Sequence, residues 1–190
     1  VLERMSPRIA DVLRELTGAE LRSDVQISDY RKPHNLDLLK HYIFTPKAPA
    51  IKKSSVELLH TLCKAFGPGV TENRFAIIAN YGHGKSHFAL AVANYFGKPF
   101  GSPESTTVLK ALEHAIPEQD RPIYGELEDF KRQHRPFLVL LLRGDEPSDL
   151  PTKLHRELQV ALSLDEDREV GLPFWFADAE RFLEKTGRER

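Results

Sequence analysis

The chain has 190 residues, with 27 Lys and Arg against 28 Asp and Glu, so its formal net charge is −1. That length suits one α/β domain with a sizeable core, and a balanced charge gives no reason to expect a polyanion partner. A single cysteine, Cys63, excludes an intramolecular disulfide framework and a cysteine metal cluster.

No secretory signal and no long apolar run is present, which leaves a cytoplasmic protein without a membrane segment as the expectation. The chain opens on Val1 and closes on Gly187-Arg188-Glu189-Arg190, and is expected to be a fragment of something longer. Ser6-Pro7 is a good helix start, followed by an apolar stripe of Ile9, Val12, Leu13 and Leu16 that Gly18 ends. Residues 19–54 are mixed and broken by Pro33, Pro46 and Pro49, with a short helical turn at Leu36, Leu38 and Leu39 before His41-Tyr42-Ile43-Phe44-Thr45. Ser55 begins a second helix, with Leu59, Leu62, Cys63 and Phe66 on one stripe and Gly67-Pro68-Gly69 as its stop. Cys63 on that stripe reads as a buried, inert thiol.

Residues 75–79 form a short apolar run expected as a buried strand, and residues 86–96 a helix with Phe88, Ala91, Val92 and Tyr95 on one face. Residues 105–116 repeat the helical pattern through Leu109, Leu112 and Ile116, and residues 127–134 suit a short polar helix. Residues 137–142, Phe-Leu-Val-Leu-Leu-Leu, are apolar on both faces, as a central parallel strand is. Leu150, Leu154, Leu158 and Leu162 predict a helix behind it, and residues 174–183 a last amphipathic helix anchored in the core by Trp175. Strands alternating with helices predict an α/β fold: a parallel sheet with flanking helices, incomplete at its C-terminus and preceded by a helical N-terminal region. The expected division is 1–54, contributing to a nucleotide pocket, and 55–190, a P-loop NTPase core.

Between the first strand and its helix lies Asn80-Tyr81-Gly82-His83-Gly84-Lys85-Ser86-His87. Gly82 and Gly84 let backbone N–H groups crowd around an anion without Cβ obstruction. Lys85 supplies a point charge for β- and γ-phosphates, and the Ser86 hydroxyl suits Mg²⁺. The following helix aims its positive end at the same spot. The full pattern G-x-x-x-x-G-K-[ST] lacks only its first glycine, where Ala79 stands. A Rossmann turn fits worse, because His87 holds its third glycine position. His83 is either a phosphate donor or a solvated loop residue, and His87 is expected to be structural.

Hydrolysis also needs an acid for Mg²⁺ at the end of an apolar strand. Two readings stand open. Asp145 and Glu146, after residues 137–142, resemble such an ending, although Arg143-Gly144 intrudes. Alternatively that strand is the first after the P-loop helix, and the acid lies beyond Arg190. The catalytic candidates are therefore Lys85, Asp145 and Glu146.

Tyr42-Ile43-Phe44-Thr45, the helix over residues 55–66 and the unit over residues 75–96 together resemble ATPases of the AAA+/STAND/ORC-like group. The likeness is nearest to the large P-loop ATPases of bacterial phage-defence systems, of the BREX or phosphorothioation-linked kind, and it covers residues 40–100. The resemblance implies ATP binding with Mg²⁺, ATP-driven remodelling around DNA through the full-length protein, and partners among other defence components. It also implies that Tyr42 and Thr45 line the base pocket. Thr152-Lys153-Leu154-His155 lacks the base-reading Asp of a GTPase, and no D-x-x-G occurs. His34, His41, His60 and His114 show no metal spacing, and Arg31-Lys32 with Lys47, Lys52 and Lys53 are expected to be solvated. The alternative function is an interaction module in which nucleotide occupancy controls assembly, with little or no hydrolysis.

Overall fold

A computed structural model describes residues 25–46, 54–71, 73–78, 84–144 and 148–163, together with the helical residues Asp178, Arg181, Phe182 and Lys185. The predicted helix over residues 6–16, the loop residues 79–83, Asp145 and Glu146, and Trp175 lie outside them. A 3₁₀ segment, Ile27–Arg31, leads into α1 (Asn35–Lys40). Next come α2 (Ser55–Lys64), α3 (Lys85–Gly97), α4 (Pro103–Ala115), α5 (Arg121–Gln133) and α6 (Leu150–Ser163).

Local chemistry explains the boundaries. Ser54 caps α2: its hydroxyl accepts from the Glu57 N–H at 3.1 Å, and the Glu57 carboxylate accepts from the Ser54 N–H at 3.1 Å. Ser102 caps α4 through the Ser105 N–H, with Pro103 in the first turn. Helix α5 starts well before the polar stretch at 127–134, because Pro122 belongs to its first turn rather than to a preceding loop.

The expected parallel sheet is absent: among the described residues there is no strand. Residues 75–78 carry no ladder, and Phe75, Ile77 and Ile78 face solvent, Ile78 at 94 % exposure. Residues 137–142 carry no ladder either, and their polar contacts go to helices. The Phe137 N–H donates to the Phe96 carbonyl at 3.0 Å, and the Leu141 N–H approaches Glu157 at 3.4 Å. A sheet requires neighbouring strands to exchange backbone hydrogen bonds, and an apolar run alone does not provide a neighbour. Among the described residues the core is instead helix packed on helix.

Helix α3 lies at its centre. Phe88, Leu90, Ala91, Ala93, Asn94, Tyr95 and Phe96 are all buried, so it is covered nearly all round rather than on the one predicted face. The 3₁₀ segment, α1 and α4 pack on it, with Val108, Leu109 and Leu112 of α4 in the same apolar cluster. Asn35 and Asn94, both buried, exchange two amide hydrogen bonds of 2.8 and 2.9 Å and fix α1 on α3. Gly97 permits the close packing where α3 ends: a Cβ there would meet Val139 Cγ2 at 2.7 Å and the Tyr30 hydroxyl closer still.

Residues in contact on α2, α3 and α5 climb together in number. Cys63 meets Tyr95 and Phe66 meets Phe96; Tyr95 meets Leu127; His60 meets Glu126 and Phe66 meets Phe130. The three helices therefore run in the same direction. Their N-terminal ends share one side of the molecule and their C-terminal ends the other. Lys131, only 3 % exposed, donates its ammonium to the Lys98 carbonyl at the end of α3, where a cation complements the helix dipole. Burial brings that ammonium down to about 8. Burial likewise pushes the Cys63 thiol up to about 11, as befits an inert core cysteine.

Asp29 holds the 3₁₀ segment together. It is buried, and its carboxylate accepts from the Gln26 N–H at 2.9 Å, from Lys32 at 2.7 Å and from His34 at 3.2 Å. Burial alone raises a carboxyl pKa, but these donors outweigh it and bring Asp29 from 3.8 to about 2. The folded state then holds this proton less tightly than the unfolded chain. The stability that follows is fully present above pH 3.8 and is lost as pH falls through 2. Urea denaturation is expected to give Asp29→Asn a loss of about 2 kcal/mol at pH 7. The two chains are expected to converge towards pH 2; a difference that persists undiminished there contradicts this role.

Candidate functional site

The N-terminal end of α3 carries the described part of the glycine-lysine-serine motif. Gly84 stands at the N-cap position with φ 69° and ψ 18°, the left-handed region that favours glycine. It is exposed, and its carbonyl accepts the first intrahelical hydrogen bond from the Phe88 N–H at 2.9 Å. Lys85 is partly buried and Ser86 exposed on the first turn.

This helix start differs chemically from those of α2 and α4. Those two have a serine hydroxyl cap and an acid in the first turn, Glu57 and Glu104. Glycine brings no capping oxygen to α3, and no acid stands in its first turn, which holds Lys85 and His87 instead. A cation at the positive end of a helix dipole is unfavourable for the helix. A helix start with no acid, a lysine and a serine in its first turn has the residue types that an anionic phosphate requires. Among the described residues no group of three or more His, Cys, Asp or Glu is placed to hold a metal.

His87 is held rather than offered. Its Nε2 bonds the Leu38 carbonyl at 2.7 Å, so Nε2 carries the proton. Its ring meets Tyr42 edge-on at 4.9 Å between centroids. Tyr42 also packs against Phe44 at 4.8 Å and Phe88 at 6.4 Å. Burial pushes its phenol pKa up, against a hydrogen bond with Ser55 that works the other way.

Thr45 is engaged with α2 instead. Its Oγ1 accepts from the Ser55 N–H at 2.9 Å, and the Ser55 hydroxyl accepts from the Thr45 N–H at 2.7 Å. The segment at 42–45 thus joins the N-terminal ends of α2 and α3. Tyr42 and His87 are brought together beside Lys85 and Ser86, whereas Thr45 has its hydroxyl committed to the start of α2. Asn80, Tyr81, Gly82 and His83 lie outside the described residues, as do Asp145 and Glu146.

Sequence reasoning missed two members of this joint. Ser55 had a usable signal, since the Ser54–Glu57 capping box places it at the first helical position, next to any incoming strand of chain. The bond from His87 to Leu38 had none, because its acceptor is a backbone carbonyl.

Replacing His87 by Ala removes a hydrogen bond and a ring contact, and is expected to cost about 1–2 kcal/mol in urea denaturation. Lys85→Ala, at a partly exposed helix position, is expected to change stability by no more than about 1 kcal/mol. A large loss from Lys85→Ala places this lysine among the structural residues.

Among the described residues no helix is long and apolar enough to cross a membrane. No family model matches the chain, and neither a curated protein nor a solved structure matches it.

Proposed function

We propose that this chain binds ATP with Mg²⁺ at the N-terminal end of α3, as the nucleotide-binding part of a larger ATPase. One observation carries the reading: a helix that starts on a left-handed glycine, with Lys85, Ser86 and His87 in a first turn that holds no acid. In this reading backbone N–H groups from Gly82 to Ser86 bind phosphate oxygens, and Lys85 supplies charge to the β- and γ-phosphates. Ser86 holds Mg²⁺, which neutralises developing charge during phosphoryl transfer. Tyr42, whose ring meets His87 at 4.9 Å, is the candidate base contact; Thr45 supports it through its bonds to Ser55 at the start of α2.

The resemblance over residues 40–100 motivates the wider setting: a cytoplasmic, bacterial phage-defence or DNA-remodelling ATPase, with other defence proteins as partners and DNA contacted by the full-length chain. Hydrolysis through Asp145 and Glu146 is part of that proposal. A second reading is a nucleotide-dependent interaction module with little turnover. It is favoured by Ile77 and Ile78, which stand exposed just before the loop, where a bound nucleotide would alter what they meet.

Calorimetric titration with Mg-ATP tests the site. Lys85→Ala is expected to weaken binding tenfold or more, which is about 1.4 kcal/mol of lost interaction. Ser86→Ala is expected to lose most of the Mg²⁺ dependence. Equal affinity in the parent chain and Lys85→Ala removes the proposal. Binding without phosphate release selects the interaction module over the ATPase.

A further inference from the structure

The opposite end of α3, roughly 18 Å from Gly84 by helix rise, holds an open hollow of about 350 Å³ that the proposed nucleotide site does not use. Its walls come from the C-terminal ends of α2 and α5. Phe66 is half exposed there, though it packs at 4.5 Å on Phe137 and 5.4 Å on Phe96. Phe130 lines the hollow with His134 stacked on it at 4.0 Å and 21°. Phe66, half exposed and tilted 52° to Phe130, offers the aromatic surface that a planar ring can meet face-on or edge-on.

The polar groups of this hollow select further. Glu126 projects from α5 with its side chain 58 % exposed, and His60 of α2 fixes one carboxylate oxygen at 2.7 Å. The hydrogen bond to His60, and the charges of His60 and Lys64, hold the Glu126 carboxyl below its ordinary range, so it is an acceptor at neutral pH. The C-terminal ends of α2 and α5 add the negative side of two helix dipoles. Lys64, on the same wall, balances the Glu126 charge and disfavours a cationic guest. A neutral ring bearing an N–H donor matches this combination of exposed aromatic ring, fixed acceptor and a carboxylate already matched by Lys64. The volume lies at the small end of the range for small-molecule sites.

We infer that the hollow between the C-terminal ends of α2 and α5 binds a small neutral heteroaromatic molecule, its ring against Phe66 and its N–H on the Glu126 carboxylate.

Indole is the probe, with 1-methylindole as the control that keeps the ring and removes the donor. Aromatic NMR on the whole chain is expected to show saturable shifts at Phe66, Phe130 and His134 with indole. Affinity for 1-methylindole is expected to be about threefold or more weaker, in line with the loss of one hydrogen bond. Glu126→Ala, at an exposed helix position, is expected to reduce indole affinity by a similar factor and to abolish the preference over 1-methylindole. Phe66→Leu keeps apolar packing on Phe96 but loses the flat surface, with an expected weakening of about threefold to tenfold. Shifts that stay linear to the solubility limit, equal affinity for the two probes, or indole affinity unchanged in Glu126→Ala would overturn the inference. The last of these stands even if Phe66→Leu fails to fold.

Discussion

The burial of α3 is the constraint on which the rest of the described fold depends. Leu90, Ala91, Asn94 and Tyr95 have essentially no contact with solvent. Each fully buried large apolar side chain contributes on the order of 1.5–3 kcal/mol, so this one helix accounts for a large share of what opposes chain entropy. Its polar groups are matched inside the core. Tyr95 donates its hydroxyl to the Leu127 carbonyl at 2.6 Å, and Asn94 bonds both Asn35 and the Leu90 carbonyl. A buried helix with satisfied polar atoms is a rigid axis, and its two ends are consequently well-placed points.

Direction follows from that axis. With α2, α3 and α5 running the same way, the positive ends of α2 and α3 meet the segment at 42–45, and negative ends gather near Phe66, Lys98 and His134. Two of the positive ends differ sharply in how their N–H groups are used. Ser54 closes the start of α2 with its own hydroxyl, while Gly84 opens α3 to solvent beside Lys85. At the negative side Lys131 neutralises the end of α3, and the hollow beside it keeps its aromatic and acidic lining. One helical polarity thus gives the two ends opposite dipole signs, and the two proposed sites take their chemistry from that difference.

The helices were legible in the sequence where side chains mark their ends. The expected starts at Ser55 and Ser105 place α2 and α4 to within a few residues, and the caps Ser54 and Ser102 fix the observed starts. Of the stripe Leu59, Leu62, Cys63 and Phe66, Leu59 and Cys63 are buried while Phe66 is half exposed; Leu109, Leu112 and Ile116 are all buried. The sheet was not legible, because residues 75–79 and 137–142 have the composition of buried strands while pairing depends on a neighbour that composition does not reveal. Leu138 and Leu142 are exposed and the segment rests against helices instead. The buried polar residues were equally invisible. Lys131 lies in a stretch that reads as a polar surface helix, yet it is almost wholly enclosed. Asn94 interrupts an apolar face only because Asn35 meets it. At the candidate site the motif located Gly84, Lys85 and Ser86, whereas the tie from His87 to Leu38 required coordinates.

The central claim is that the N-terminal end of α3 receives a nucleotide's phosphates. Amide and aromatic NMR shifts during titration with Mg²⁺ and a non-hydrolysable ATP analogue test it most directly. The account predicts that the largest changes fall on the amides of Gly84, Lys85, Ser86 and His87 and on the Tyr42 ring, while Phe66 and His134 at the far end stay unmoved. Absence of change at millimolar analogue, or changes concentrated away from the start of α3, would contradict it.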